Sequence, residues 1–178
     1  MTLSLVPLRL DHVRRLRLWK NHPQVRAMLL GATENVSLAQ VSELIEEDAD
    51  RLHLVIEIAP GGQDRVLYRH PVGFLTLGEV RERVTWGSFE VVVGPQWQGR
   101  GYGRRVLAQV PGLLMSWRGL STIKVGAFED NGRALALYRS LGFSEVESVW
   151  YSTLSGRRRA VLLSNRPEAF LRRRAGFS

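Results

Sequence analysis

Between Val91 and Arg105 the chain reads VVVGPQWQGRGYGRR, a run of valines, then glycines at 94, 99, 101 and 103, then a segment with helical spacing. No other stretch restricts the fold so tightly. Three successive valines suit a buried strand. Val106, Val110, Leu113, Leu114 and Trp117 then recur at helical intervals and form one face. In this order, strand, turn and helix put the first unpaired helical N–H groups at the end of a strand, where the helix dipole adds partial positive charge. Such a corner suits a phosphate. Glycine lets the backbone turn through angles that a Cβ forbids and lets an anion come close. Two familiar phosphate loops are excluded. A Walker loop needs Gly-Lys-Ser/Thr, and neither Lys20 nor Lys124 follows a glycine. A dinucleotide fingerprint needs a third glycine, but that place holds Arg104 counting from Gly99, and Val106 counting from Gly101.

The remaining periodicities supply the elements around this corner. Residues 2–8 alternate as an opening strand. Asp11 is placed to cap a helix running to about Trp19, and Pro23 to open a short second piece through Leu30. Ser37 and Gln40 have capping-box spacing, with Leu38, Val41, Ile45 and Ala49 at helical intervals. His53–Ala59, Val72–Glu79 and Thr85–Val93 read as an antiparallel meander, turning at Gly61-Gly62-Gln63-Asp64 and at Arg81-Glu82-Arg83. Pro111-Gly112 predicts a kink or early stop in the helix after the glycines. Thr122–Phe128 is a further strand. Ala134, Leu137, Tyr138 and Leu141 share one face of a short helix that Gly142 ends. Val146–Thr153 and Arg159–Leu163 close the chain as a hairpin around Ser155-Gly156. The expected fold is a mixed α/β sheet with helices on its faces, built as a single domain over residues 1–178.

Composition removes several function classes. Without cysteine there is no disulfide framework, thiolate metal site or cysteine nucleophile. His12, His22, His53 and His70 lack metal spacing, so no metal is expected. No apolar run approaches the roughly 20 residues of a membrane span, and MTLSLVPLRL is too short and interrupted for a signal peptide; a soluble cytoplasmic protein is expected. The net charge is +8, and of 25 Lys+Arg only Lys20 and Lys124 are lysine, leaving 23 arginines. A basic surface attracts phosphates in nucleic acid, acidic protein or a nucleotide cofactor, and arginine excess also follows from GC-rich coding. The runs Arg157–Arg159 and Arg172–Arg174 read as solvated, with RNA or ribosome binding as the alternative.

With the known phosphate loops excluded, Gln98-x-x-Gly101-x-Gly103 resembles the acetyl-CoA signature of the GNAT superfamily of N-acetyltransferases. Asn131-Gly132-Arg133-Ala134-Leu135-Ala136-Leu137-Tyr138-Arg139-Ser140-Leu141-Gly142-Phe143 looks like the family's second signature, in which Asn begins a short helix and Tyr precedes a Gly-Phe ending. Leu18-Trp19-Lys20-Asn21-His22-Pro23-Gln24-Val25 resembles the early pattern of the RimJ/RimL-like branch, which includes ribosomal-protein N-acetyltransferases. The resemblance implies a mostly antiparallel sheet with helices on both faces. It also implies a splayed parallel pair, Ser88–Val93 and Thr122–Phe128, that holds acetyl-CoA. The backbones of Val91, Val92 and Val93 are then expected to pair with the pantetheine arm. Gln98 would begin a loop in which the amides of Gly99, Arg100, Gly101, Tyr102, Gly103 and Arg104 hold the pyrophosphate. Arg104 and Arg105 would add charge, and Asn131 would contact the pantetheine region.

The implied chemistry is direct attack of a neutral primary amine on the thioester in a ternary complex. An N–H near Val92 or Val93 is the candidate oxyanion donor. Coenzyme A leaves as a thiolate, comparable to a cysteine thiol of pKa about 8.5, and a phenol of pKa about 10 can protonate it, which makes Tyr138 the candidate acid. Glu90, on the signature strand, is the candidate base. An α-amine of pKa about 7.7–8.0 is roughly a tenth neutral at pH 7, whereas a lysine-type amine near 10.4 is neutral in under about one molecule in a thousand. Without a strong base, α-amines are the easier acceptors. Polyamines, aminoglycosides, amino acids and protein N-termini all stay open as acceptors, as does another acyl-CoA donor. The +8 charge disfavours polycations unless Glu34, Glu43, Glu46, Glu47 and Asp48 make the acceptor pocket acidic. That pocket is expected between the N-terminal helices and the loop joining the last two strands. The family also makes a homodimer an expectation, and a basic RNA- or ribosome-associated module without turnover is the alternative function.

Overall fold

The computed structural model describes residues 2–32, 34–46, 51–59, 69–78, 86–113 and 122–166. The elements run β1 (Thr2–Pro7), α1 (Leu10–Asn21), α2 (Pro23–Arg26), α3 (Leu38–Glu43), β2 (Arg51–Ala59), β3 (His70–Gly78) and β4 (Trp86–Val93). After a 3₁₀ turn at Pro95–Trp97 come α4 (Tyr102–Leu107), β5 (Thr122–Phe128), α5 (Gly132–Ser140), β6 (Ser144–Thr153) and β7 (Gly156–Asn165). The strands form one sheet in the order β1-β2-β3-β4-β5-β7-β6. Every pairing is antiparallel except β4 with β5. The expected mixed sheet with a single parallel pair is therefore present.

Alternation along the strands sorts side chains to two faces. Ile56, Leu75, Phe89 and Ile123 pack with Tyr102, Val106, Leu135 and Tyr138 from α4 and α5. Val55, Phe74 and Val92 pack on the other face with Val13, Leu16, Trp19, Val25 and Val41 from α1, α2 and α3. Helices thus cover both faces.

Several boundaries differ from the sequence expectation for local reasons. α1 begins at Leu10, with Arg9 as N-cap, so Asp11 sits in the first turn rather than capping it. The Arg9 N–H instead donates to His12 Nδ1 at 3.2 Å. Pro23 does open α2, but the helix ends at Arg26 and the chain continues in turns to Gly31, whose φ is +74°. Ser37 and Gln40 form the expected capping box, Gln40 N–H to Ser37 Oγ at 3.1 Å and Ser37 N–H to Gln40 Oε1 at 2.8 Å. α4 stops at Leu107 and helical geometry resumes over residues 110–113. Pro111 has no N–H to return to the Leu107 carbonyl, so the break falls just before it. Ala49, the turns at Gly61–Asp64 and Arg81–Arg83, Leu114, Trp117 and the run Arg172–Arg174 lie outside the described residues.

One glycine shows how closely α1 is seated on the strand that carries the site. A Cβ on Gly94 would come within 2.6 Å of Trp19 Cε2 and Nε1. Trp19 is buried in the N-terminal-helix layer and touches the end of β4 at this point. Overpacking of this kind costs typically about 1–3 kcal/mol. Gly94→Ala should lower the denaturation free energy by about that much in urea titration, and it should be rescued in part by Trp19→Phe. An unchanged midpoint would mean that Trp19 has room to move.

Candidate active site

The parallel ladder between β4 and β5 covers only Trp86–Thr122, Gly87–Ile123 and Ser88–Lys124. Beyond it the strands part. β3 still holds the other edge of β4 as far as Val93, and the Gly94 N–H donates to Val72 O at 2.8 Å. Hydrogen-bonding residues alternate along an antiparallel ladder. Counting back from Gly94, Val92 and Glu90 therefore turn their main-chain groups toward β3, while Val91 and Val93 turn theirs into the gap. This sorts the three expected valines. Val92 serves the sheet and the N-terminal-helix layer; Val91 turns its N–H and C=O to the cleft, and Val93 its N–H, its carbonyl accepting from the Gln98 side chain.

The glycine corner continues the gap. Gly99 and Gly101 both have φ +79°, in the left-handed region that other residues avoid. A Cβ on Gly101 would meet nothing within 4 Å, so the space above it is open. Gly101 is the N-cap of α4, and its carbonyl accepts from the Arg105 N–H at 3.2 Å. The N–H groups of Tyr102, Gly103 and Arg104 precede that first helical bond and point out of the helix end. The Cβ position of Gly103 lies 3.7 Å from Leu137 Cδ2, an ordinary contact, so space alone does not demand glycine there. Gln98 Nε2 donates to Val93 O at 3.1 Å, tying the loop to the strand end.

The side chains in this loop divide by direction. Arg104 lines the cleft, and its guanidinium donates to Ser140 Oγ at 3.3 Å. The Arg100 guanidinium lies 5.1 Å from the centre of the Trp97 ring, and the Tyr102 ring is buried in the core, so both would offer main chain only. Arg105 is exposed on α4. Asn131 Oδ1 accepts from the Ala134 N–H at 3.2 Å, which makes it the cap of α5 as well as a cleft residue. Arg133, two residues on, approaches Gly99: its Nη2 lies 3.4 Å from where a Gly99 Cβ would stand. Sequence reasoning passed over Arg133, although its place beside the Asn131 cap was a usable signal.

At the throat of the gap stand Tyr138 and Glu90. Tyr138 is buried on the α5 side in edge-on contact with Phe89, centroids 5.9 Å apart. Burial, reinforced by the negative charge of Glu90, pushes its phenol up to about 12. Glu90 points to the opposite face, where Lys20 Nζ lies 3.1 Å from its Oε1. Lys20 also sits 5.2 Å from the Phe74 ring centroid. Sequence reasoning missed Lys20 too.

Lys20, Glu90 and Tyr138 line one cleft of about 890 Å³ together with the glycine corner. That volume suits a sizeable ligand. One end is walled by Gln24, Met28, Leu29 and Leu30 on one side and by Val146, Glu147 and Tyr151 of β6 on the other. Among the described lining residues the carboxylates are Glu90 and Glu147, against the cations Lys20, Arg51, Arg104, Lys124 and Arg133. Glu34, Glu43 and Glu46 are not among the lining residues, and Glu47 and Asp48 lie outside the described ones.

The other candidate features have internal partners. Arg157 stacks at 5.6 Å on Trp150, Arg158 at 3.8 Å on Phe128 while pairing with Asp130 and the Ala27 carbonyl, and Arg159 lies 3.6 Å from Glu129. His12 is buried 3.5 Å from Glu57, and His53 Nδ1 is 2.9 Å from Thr76 Oγ1. No group of three potential metal ligands occurs among the described residues. No helix among them is long and apolar enough to cross a membrane.

The site is thus a strand pair opened into a slot, with a glycine corner at its end and Tyr138 at its throat. Residues 23–143 match the Acetyltransferase (GNAT) family, and the chain belongs to that family. The [ribosomal protein bS18]-alanine N-acetyltransferase of Escherichia coli K12 is 35% identical over 78 residues, 43% of this chain and 52% of that protein. The Salmonella typhimurium enzyme of the same name matches to the same extent. The chain thus spans about half the length of the curated relatives it matches. Among solved structures, spermidine N-acetyltransferase from Vibrio cholerae, in complex with CoA and spermine, superposes with a TM-score of 0.81 at 19% identity, covering 95% of this chain and 98% of that one. A domain from Methanocaldococcus jannaschii gives 0.74 at 16% identity, over 93% and 98%. At such identities these neighbours establish the fold.

The Tyr138 environment has a measurable consequence. A phenol at about 12 in the folded protein and about 10 unfolded binds its proton more tightly when folded. The stabilisation from that proton is complete below pH 10 and is lost as pH rises from about 10 through about 12. It amounts to about 2–3 kcal/mol. Tyr138→Phe should flatten the fall of denaturation free energy across that window. Parallel curves for the two proteins would show that the phenol is not shifted.

Proposed function

We propose that this chain transfers an acetyl group from acetyl-CoA to a primary amine by direct attack in a ternary complex. The observation that carries the reading is the slot between β4 and β5, which runs into the open left-handed glycine corner with Tyr138 and Glu90 at its throat. The gap-facing groups of Val91 and Val93 suit the amides of a pantetheine arm laid along β4. Main-chain N–H groups from Gly99 to Arg104 suit the pyrophosphate, with Arg104 and Arg133 supplying charge. Gln98 holds this loop to the strand, and Asn131 fixes α5 so that Tyr138 projects into the slot.

The bound cosubstrate supplies an activated thioester; the protein supplies orientation and proton handling. A gap-facing N–H of Val91 or Val93 polarises the carbonyl. Glu90 takes the proton released by the amine, directly or through water. Tyr138 donates toward the leaving sulfur. A phenol at about 12 is a weak donor to a thiolate whose conjugate acid is near 8.5. However, part of that elevation comes from the charge of Glu90. Once Glu90 has accepted a proton the charge is gone, and Tyr138 becomes the stronger acid as the sulfur leaves.

The acceptor class follows from the cleft's charge. With Glu90 and Glu147 as the lining carboxylates among the described residues, against five cations, the site favours a single amine over a polyamine. The α-amine of an amino acid or of a peptide N-terminus fits best, and it needs the least help to become neutral. The bS18-alanine N-acetyltransferases among the relatives point the same way. The alternative of a basic nucleic-acid module is not favoured, because the chain belongs to the acetyltransferase family and relatives it matches carry acetyltransferase names.

Calorimetric titration with acetyl-CoA should show stoichiometric binding; no binding at high micromolar cosubstrate would overturn the reading. In a panel of amines, thiol release should be faster with alanine-terminated peptides than with spermidine, and the reverse order would refute the acceptor class. Gly101→Val should raise KM for acetyl-CoA about tenfold or more, and the strain of a β-branched residue at φ +79° should also lower the thermal midpoint. Tyr138→Phe should lower kcat about a hundredfold and leave acetyl-CoA affinity intact. Near-normal kcat would exclude Tyr138 as the acid.

A further inference from the structure

Lys20 closes the last full turn of α1, and its side chain is only 19% exposed. Lysine is almost never withdrawn from water without a partner. Here two groups hold it, both from the sheet: Glu90 Oε1 at 3.1 Å on β4, and the Phe74 ring at 5.2 Å on β3. The ammonium therefore lies inside the reaction cleft, on the face opposite Tyr138 and against the proposed base. Glu90 is close enough to Tyr138 for its charge to act on the phenol. Amine, carboxylate and phenol thus succeed one another across the opened strands, the order that the proposed transfer requires.

We propose that Lys20 is itself an acetyl acceptor, modified on Nζ by the protein's own acetyl-CoA when no external amine fills the cleft. This rests on the acetyltransferase reading above. Glu90 removes a proton from the Lys20 ammonium. The freed nitrogen forms a C–N bond to the acetyl carbonyl carbon as the thioester C–S bond breaks and its electron pair leaves on sulfur. Of the two protons that nitrogen gives up, one ends on the coenzyme A thiol and the other passes to water. The products are Nε-acetyl-Lys20 and coenzyme A. Lys124 lines the same cleft but pairs in register with Ser88, where β4 and β5 are still joined. It lies before the opening, so it is the built-in comparison.

The full-length protein incubated with acetyl-CoA and no acceptor should gain one acetyl group in its intact mass, mapping to the peptide that contains Lys20. Lys20→Arg should lose that gain. Excess coenzyme A should slow it. An independent reading uses acetic acid N-hydroxysuccinimide ester, which needs no enzyme: coenzyme A should protect Lys20 relative to the chain's α-amine. Acetyl-CoA that binds calorimetrically while Lys20 stays unmodified overturns this proposal alone. So does acetylation spread equally over Lys124, or labelling of Lys20 that coenzyme A leaves unchanged. Failure of acetyl-CoA to bind removes the acetyltransferase reading and this proposal with it.

Discussion

Beyond Ser88–Lys124, β5 keeps its ladder to β7 as far as Phe128–Ala160 while its other edge leaves β4. Two interior strands of a sheet thereby face each other with main-chain groups that neither supplies for the other. Buried groups of this kind cost about 1–3 kcal/mol each when nothing satisfies them, so a sheet opened in its middle makes sense as a slot for something carrying amides of its own. Aromatic packing sits at the point of divergence. Phe89, the first residue past the joined segment, meets Tyr138 and Phe143 edge-on at 5.9 and 6.1 Å. The same rings that fill the core beneath β4 thus place the phenol at the throat of the slot. Fold and site share that packing, so Tyr138 cannot shift without disturbing Phe89 and Phe143.

The slot also lets charge act across the sheet. Glu90 belongs by alternation to the face of the N-terminal helices, and Tyr138 to the face of α5. In a continuous sheet, backbone would separate them; at the opening, the carboxylate adds to the rise that burial gives the phenol. On the proposed mechanism, base and acid are then coupled through a proton that one gains as the other loses. Lys20 adds a third charge to this set from the end of α1, and α1 is held to β4 by Trp19 on Gly94. The N-terminal helices therefore do more than cover the sheet: they bring an amine to the proposed base, Glu90.

Local patterns made much of this legible. The valine run, the spaced glycines and the Asn131-to-Phe143 stretch each encode one element and its end, so β4, α4 and α5 could be read from neighbours in sequence. The single parallel pair came through a resemblance rather than through any period, and the place of β7 between β5 and β6 had no local sign, because pairing partners such as Ile123 and Asn165 lie far apart in the chain. Side-chain direction was the least accessible feature. Three consecutive valines look alike in sequence, yet the register with β3 turns Val92 away from the slot and Val91 and Val93 into it. Arg157 and Arg159 are exposed, as expected, but Arg158 is drawn in against Phe128 and Asp130, which lie far from it along the chain and gave no local sign. Lys20 was hidden for the same reason: Glu90 is 70 positions away along the chain.

The skew toward arginine acquires a chemical meaning in this setting. A guanidinium stays protonated at any working pH and is no nucleophile, whereas a lysine amine becomes one whenever it loses a proton. A chain with 23 arginines and lysine at only two positions offers an acyl donor few side chains that compete with its acceptor. GC-rich coding accounts for the composition equally well, but it does not account for the placement. Both lysines line the cleft, and one of them is held against the carboxylate at its throat. On the proposed mechanism, an amine kept at that point occupies the position from which an acceptor would attack. Any external acceptor must therefore displace the Lys20 ammonium from Glu90 or share that carboxylate with it. Acceptor choice is then a contest for one carboxylate between an amine the chain carries and one it meets.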